Sequence, residues 1–113
     1  MFLGLDFGTG SVKALLLNTS GEVVGEASQA YDVISAKSGW AETEPSAWWQ
    51  AACNAVKNLV VDDLERVKAI GLSGQMHGVV LCQADATPLR NAILWADTRS
   101  ESQLSQYKSL SKA

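Results

Sequence analysis

The stretch FLGLDFGTGSVKALLL (residues 2–17) decides how this chain folds at its N-terminus. Its two apolar runs, residues 2–7 and 12–17, are separated by only a few small residues, which predicts a β-hairpin. Alternation along the first strand places Asp6 on the face opposite the large apolar side chains of that run. An acidic side chain is therefore expected at the tip of a strand, directly before a turn that contains glycine.

This acidic strand end and its turn have the residue types of a Mg²⁺–phosphate site. Asp6 is the candidate ligand, because hydrated Mg²⁺ keeps several waters and takes only one or two carboxylates. Glycines let the backbone approach a ligand closely, and successive N–H groups in such a turn form a concave site for phosphate oxygens. Hydroxyl groups and a lysine add hydrogen-bond donors and positive charge. The candidate phosphate-binding residues are Gly8, Thr9, Gly10, Ser11 and Lys13.

A plain hairpin with a solvated aspartate is the alternative interpretation of the same stretch, because glycine hairpins are common. The stretch is not a P-loop, since it lacks GxxxxGK[ST] and leads into a strand instead of a helix. It differs from a Rossmann turn for the same reason. The residues alone leave the Mg²⁺–phosphate turn and the plain hairpin both open.

The pattern after the hairpin predicts one more strand and a helix. A third strand over residues 22–28 would complete an antiparallel meander. The stretch 42–60 predicts a helix in which Pro45 occupies the first turn, where its missing N–H costs nothing. Its N-cap is either Thr43 or Glu44. Trp48 and Trp49, within this helix, are expected in the core more than in a ligand site.

The second half of the chain predicts short strands and a final helix. We expect a buried strand over 67–72, a strand over 79–82 and an extended piece over 93–95. A Thr98-x-x-Glu101 capping box opens the last helix, whose leucines and tyrosine should face inward. The order βββ-α-β-β-(β)-α predicts an α/β fold. Because a buried strand needs neighbours on both edges, the chain is expected to be part of something larger.

Composition limits the class of partner. The chain has 113 residues, enough for one small domain, and 47% of them are hydrophobic. A net charge of −3 argues against nucleic acid or an anionic membrane as the main partner. No apolar run approaches the roughly 20 residues that a membrane helix needs, and no basic segment precedes an apolar stretch as in a signal peptide. A cytoplasmic protein with small-molecule partners is expected.

A second group of chemically distinctive residues is GQMHG (residues 74–78), which lies between two apolar runs and holds the only histidine of the chain. A neutral imidazole donates one hydrogen bond and accepts another, which suits a sugar hydroxyl. The flanking glycines permit close approach of a ligand. A structural histidine is the alternative, and the residues alone leave both open.

Four stretches together carry a resemblance to a known family. LGLDFGTGSVKALLLNTSGEVV resembles the first phosphate motif of the actin-like ATPase superfamily, which includes chaperones and sugar kinases. SGWAETEPSAWWQA, IGLSGQMHGVVL and LRNAILWADTRS resemble segments of the FGGY carbohydrate kinases. The DxGT pattern alone is shared across the superfamily, whereas its combination with GQMHG and LWxDxR is much more specific. The resemblance covers nearly the whole chain.

The resemblance implies a ribonuclease H-like (actin-like ATPase) α/β domain, with residues 1–113 as the N-terminal portion of the first of two domains. It implies phosphoryl transfer from ATP to a sugar hydroxyl with Mg²⁺, xylulose on O5 being the expected acceptor. Asp6 would be the catalytic, metal-holding residue. Residues that match the sugar-binding positions of the family are Met76 and His77, with Asp97 as a secondary candidate.

The family pattern also indicates what to expect beyond these residues. Glycerol kinases carry an Arg-Glu pair in place of Met76 and His77, so a ketopentose is expected over glycerol. The general base and the adenosine-binding segment are expected downstream of residue 113, so residues 1–113 alone should be inactive and should bind MgATP weakly at best. The surface left by an absent partner domain makes a homodimer one expected arrangement.

Two other readings remain open. One is an FGGY kinase for another acceptor, such as ribulose, gluconate or a polyol. The other is a non-catalytic nucleotide switch of the actin or chaperone type, which GQMHG and LWADTR disfavour because those segments have no role there.

Overall fold

The N-terminal third of the chain forms the predicted antiparallel meander. A computed structural model describes residues 1–59 and 64–110. Strands β1 (Phe2–Phe7), β2 (Ser11–Leu17) and β3 (Val23–Ala30) follow one another in the sheet. Each pairs antiparallel with the next, so the turn that joins β1 to β2 lies at one end of the sheet. The meander is confirmed, with strand ends within two residues of those predicted.

A four-stranded sheet is the main layer of the structure, and its order is β3-β2-β1-β5, where β5 spans Ala69–Gly74. Strand β5 (Ala69–Gly74) pairs parallel with β1, and helix α1 (Pro45–Lys57) packs across β2 and β3. Apolar side chains of the sheet and the helix share one core, because alternate strand residues face α1. The buried residues of this core are Leu3, Val12, Ala14, Leu16, Tyr31, Ala51, Ala52, Ala55 and Leu59.

Helix α1 begins as predicted, with Glu44 at the N-cap and Pro45 in the first turn. It ends at Lys57, and residue 60, the predicted end, lies outside the described residues. Trp48 is half-buried against the core, whereas Trp49 is 73% exposed. The expectation that both tryptophans belong to the core is therefore wrong for Trp49. Consecutive helix residues point about 100° apart, so only one of the pair can face the sheet.

Strand β5 is present, but it is not buried. All six of its residues are exposed, with Ile70 at 60% and Leu72 at 73%. β5 lies at the edge of the sheet, and α1 covers β2 and β3 on the other side of β1. The sequence correctly predicted a strand and wrongly predicted its burial, because no described residue covers this end of the sheet.

The stretch between β5 and the final helix holds little regular structure. Strand β4 (Glu42–Thr43) pairs antiparallel with β6 (Ala92–Ile93) in a separate two-stranded sheet. The strand predicted over 79–82 is not formed: its two end residues make one bridge each, Val79 with Ile93 and Cys82 with Pro88. Isolated bridges do not build a continuous ladder.

The last helix differs from its prediction in its start and in its exposure. A 3₁₀ turn over Glu101–Gln103 precedes helix α2 (Leu104–Leu110). The capping box is not formed, since the Thr98 hydroxyl donates a hydrogen bond to the Gly39 carbonyl, 3.3 Å away. The side chains expected to face inward are 50–74% exposed. None of the helices in the described ranges is long and apolar enough to cross a membrane.

Candidate functional site

Asp6 lies where the sequence predicted it, at the end of β1 on the sheet face opposite α1. Sheet register places it between Lys13 of β2 and Ser73 of β5. The Ser73 hydroxyl donates to Oδ1 of Asp6 at 2.9 Å, which fixes one carboxylate oxygen. Within residues 1–59 and 64–110, no side chain pairs with Oδ2 of Asp6. An exposed carboxylate with one fixed and one open oxygen fits the water-mediated binding of Mg²⁺.

The turn after Asp6 is closed by a hydrogen bond from the Gly8 N–H to the Ser11 carbonyl, 2.9 Å long. Gly10 faces open space, since a Cβ there would meet no atom within 4 Å. Neither glycine has a positive φ. Gly10 therefore leaves space for a ligand, whereas Gly8 allows the tight turn, because a Cβ there would lie 3.1 Å from the Ser11 carbonyl oxygen.

Lys13 shares the sheet face of Asp6, but its amine lies beside another side chain. Nζ of Lys13 is 3.2 Å from Oε1 of Glu26, and both side chains are about half exposed. Exposed pairs of this kind contribute little to stability, so the amine is free to exchange partners. A phosphate contact by Lys13 stays a prediction.

The GQMHG segment directly follows β5 and is bonded to the turn. The Gln75 N–H donates to the Phe7 carbonyl at 2.8 Å, and Nε2 of Gln75 donates to the Gly8 carbonyl at 3.4 Å. Sixty-seven residues separate Gln75 from Gly8 in the chain. The structure therefore brings together the two segments that the sequence singled out for phosphate and for sugar.

His77 has a left-handed backbone conformation, with φ at 64°. Residues other than glycine rarely adopt this region because their Cβ is crowded there. Such backbone outliers cluster at binding sites. The side chain of His77 lines an open cleft of about 440 Å³, together with Trp48, Trp49 and the glycines of the segment. Met76, beside it, is 71% exposed. Their contact with a sugar stays a prediction.

Trp95 reaches the same turn from the third motif, LWADTR, and sequence reasoning gave it no role. Its indole Nε1 donates to the Thr9 hydroxyl oxygen at 3.0 Å, while the side chain remains 58% exposed. The only signal in the sequence was its place in that motif, two residues before Asp97. A half-exposed aromatic ring is therefore held at the turn through Thr9.

Asp97 lies in a buried ionic cluster instead of on the open surface. Its side chain is 2% exposed, and its carboxylate accepts the Ala41 N–H at 2.7 Å. Nε and Nη2 of Arg99 donate to the same carboxylate at 2.8 and 2.6 Å. Hydrogen bonds from Arg99 hold the pKa of Asp97 well below its ordinary value. These partners occupy both carboxylate oxygens of Asp97. The sugar contact expected of Asp97 stays a prediction.

Arg99 extends this cluster to the segment before α1. Its Nη2 also donates to Oε1 of Glu42 at 2.7 Å, and its guanidinium lies 3.7 Å from the ring centre of Trp40. Arg90 and Asn91 donate to the carboxylate of Glu42 as well. The hydrogen bond from Arg99 is the main cause of a lowered pKa for Glu42. The cluster therefore fastens the SGWAE segment to the LWADTR segment.

A family comparison agrees with this arrangement. The model of the N-terminal domain of the FGGY family of carbohydrate kinases matches residues 1–113. This chain belongs to the FGGY family. The xylulose kinase of Escherichia coli K12 is 45% identical over 100 residues, which cover 88% of this chain and 21% of that protein. The xylulose kinase of Bacillus subtilis 168 is 42% identical over 104 residues, 89% of this chain and 21% of that protein.

Solved structures confirm the fold. A xyloylose kinase from Brucella ovis has a TM-score of 0.90 and 40% identity, covering 95% of this chain and 23% of that one. A glycerol kinase from Plasmodium falciparum has a TM-score of 0.83 and 23% identity, covering 96% of this chain and 22% of that one. At this identity the likeness shows the fold alone. The expected actin-like α/β fold is correct. The FGGY chain described here spans about a fifth of the length of the curated relatives it matches.

Proposed function

We propose that this chain is the N-terminal portion of the first domain of an ATP-dependent sugar kinase, and that its acceptor is D-xylulose, phosphorylated on O5. One observation carries the proposal: side chains of GQMHG and LWADTR, the two segments assigned to the sugar, are hydrogen-bonded to the turn next to Asp6. Gln75 reaches the Gly8 carbonyl and Trp95 reaches the Thr9 hydroxyl. A phosphate held at this turn would lie beside the sugar that receives it, as phosphoryl transfer requires.

The donor side of the reaction is assigned to β1, β2 and their turn. Asp6 would hold Mg²⁺ through water, and the ion would neutralise charge on the phosphates of ATP. Backbone N–H groups of residues 9–11, with the hydroxyls of Thr9 and Ser11, would bind phosphate oxygens. Lys13 would leave Glu26 to approach the terminal phosphate, which costs little for an exposed ion pair.

The acceptor side is assigned to the residues after β5. His77, which lines the cleft, would donate and accept hydrogen bonds with sugar hydroxyls. Met76 and the ring of Trp95 would provide apolar contact with the carbon skeleton. We place Asp97 at the border of the sugar pocket, where its carboxylate supports the segment that carries Trp95.

Catalysis by this arrangement would rest on positioning and charge neutralisation, since phosphoryl transfer leaves little covalent chemistry for the protein. The general base is assigned to chain beyond residue 113. The proposed partners are a sugar and ATP, and the proposed location is the cytoplasm. Nucleic acid and membranes are not proposed as partners. The exposed faces of β5 and α2 suit burial by further chain or by a second copy in a homodimer.

A panel of sugar and polyol acceptors tests which substrate is phosphorylated. The full-length protein that carries this chain is supplied with MgATP and with D-xylulose, ribulose, gluconate or glycerol, and ADP formation is followed. We expect the highest kcat/KM with D-xylulose. Turnover of ribulose or gluconate without turnover of xylulose would leave the kinase assignment in place and refute the acceptor.

A further inference from the structure

Tyr31, the residue after β3, holds the turn from inside the core. It is only 9% exposed. Its hydroxyl contacts the carbonyl oxygens of Gly8 and Ser11, the latter at 2.9 Å. Its backbone N–H donates to the Gly10 carbonyl at 3.0 Å. One residue therefore contacts three of the four carbonyl groups in the Gly8–Ser11 turn.

These contacts fix the direction of the N–H groups that face the other way. A trans peptide is planar and directs its C=O and the following N–H to opposite sides. With the Gly8 carbonyl directed at Tyr31, the Thr9 N–H is directed away from it. With the Gly10 carbonyl bonded to Tyr31, the Ser11 N–H is likewise directed away. Gly10 leaves open space beside the turn, since a Cβ there would meet no atom within 4 Å, so a ligand has room to approach the peptides that carry these donors.

The hydroxyl of Tyr31 is suited to remain a donor. Burial, with a smaller contribution from the charge of Asp6, raises the pKa of Tyr31 above its ordinary value, so the group stays protonated at neutral pH. A second side chain contacts the same carbonyl group, since Nε2 of Gln75 donates to the Gly8 oxygen at 3.4 Å. The Gly8 carbonyl is therefore contacted by two side chains from distant parts of the chain, Tyr31 and Gln75.

We propose that Tyr31 is a positioning residue of the phosphate-binding turn, which aligns the Thr9 and Ser11 N–H groups with the phosphate oxygens of ATP. The residue does not touch the nucleotide itself. It acts through the turn, so its loss should change ATP turnover and leave binding of the sugar unchanged. This inference rests on the proposed function, because it takes the turn as the phosphate site.

Tyr31→Phe in the full-length protein tests the role, with Tyr107→Phe as the matched control. Tyr107 is the other tyrosine of the chain and is 72% exposed on α2. We expect kcat/KM for ATP to fall about tenfold or more in Tyr31→Phe, as for misplacement of a positioned group, with the KM for D-xylulose unchanged. Tyr107→Phe should match wild type. Equal loss for both substrates, or no loss, would overturn the proposal.

Hydrogen exchange separates this proposal from the proposed function. In Tyr31→Phe, the Gly8 amide, which donates within the turn, should exchange faster while the amides of α1 keep their protection. Unchanged exchange at Gly8 would overturn the positioning role whatever the activity. If wild type transfers no phosphate yet Gly8 exchange rises, the proposed function fails and the role of Tyr31 in ordering the turn stands.

A measurement on the wild-type protein covers the case in which Tyr31→Phe does not fold. Adding MgATP should slow exchange of the Thr9 and Ser11 amides, because both donors would then be bonded to phosphate. Protection elsewhere in the protein without any change at these two amides would overturn the proposal.

Discussion

Gly39→Ala is expected to destabilise the protein because Gly39 is both left-handed and crowded. Its φ is 78°, and a Cβ there would lie 2.5 Å from Oγ1 of Thr98. Left-handed backbone costs a residue with a Cβ about 1–2 kcal/mol. The Thr98 hydroxyl would also have to move, which breaks its hydrogen bond to the Gly39 carbonyl at a cost of about 1 kcal/mol. We expect a total loss of about 2–3 kcal/mol.

Gly21→Ala is the matched control for this change. Gly21 has a similar φ of 84°, but a Cβ there would meet no atom within 4 Å. This variant should lose only the backbone contribution, about 1–2 kcal/mol. In a Thr98→Ala background the crowding is removed, so Gly39→Ala should then cost the same as Gly21→Ala.

Urea unfolding followed by tryptophan fluorescence measures these free energies, with Trp40 as a probe next to Gly39. The free energy of unfolding should fall further in Gly39→Ala than in Gly21→Ala, by about 1 kcal/mol. Equal losses in the two variants would refute the crowding argument. So would an unchanged cost of Gly39→Ala when Thr98 is replaced by alanine.

Three further substitutions test the site and its supporting cluster. His77→Asn should raise the KM for D-xylulose about tenfold at unchanged melting temperature, because Asn tolerates φ > 0; steady-state kinetics showing an unchanged KM would count against a sugar contact. Trp95→Phe should lower kcat/KM for ATP about threefold or more, since it removes the hydrogen bond to Thr9; an unaltered value would mean that this bond has no catalytic effect. Asp97 and Glu42 have lowered pKa values in the folded state, so they stabilise it above their unfolded pKa values of about 4. That stability is lost as pH falls below about 4, and Asp97→Asn should flatten this acid limb in urea titrations; an identical acid limb would contradict the assignment.

The meander was predictable because its signals are local. Alternating apolar residues, turn residues between short runs and a proline in the first helical turn determine β1 to β3 and the start of α1. The burial of β5 was not, because it depends on which elements cover a strand. The strand predicted over 79–82 was wrong for the same reason, since an apolar run becomes a strand only where a partner strand forms a ladder with it.

The candidate site likewise has residues that the sequence predicts and contacts that it does not predict. Asp6, the glycine turn and GQMHG are recognisable as short motifs. The contacts that assemble them join residues far apart in sequence: 23 positions for Tyr31 and Gly8, 67 for Gln75 and Gly8, and 86 for Trp95 and Thr9. Residue types alone do not specify such pairs, so these supporting roles appear only in the folded chain.

Phosphorus NMR of the full-length protein with D-xylulose and MgATP tests the central claim most directly, with Asp6→Asn beside wild type. Asp6 is exposed at the end of β1, so its replacement should leave the fold intact. Wild type should convert the γ-phosphate of ATP into a sugar phosphate ester, and Asp6→Asn should do so at least about a hundredfold more slowly. No sugar phosphate with wild type, or an unchanged rate with Asp6→Asn, would contradict the account.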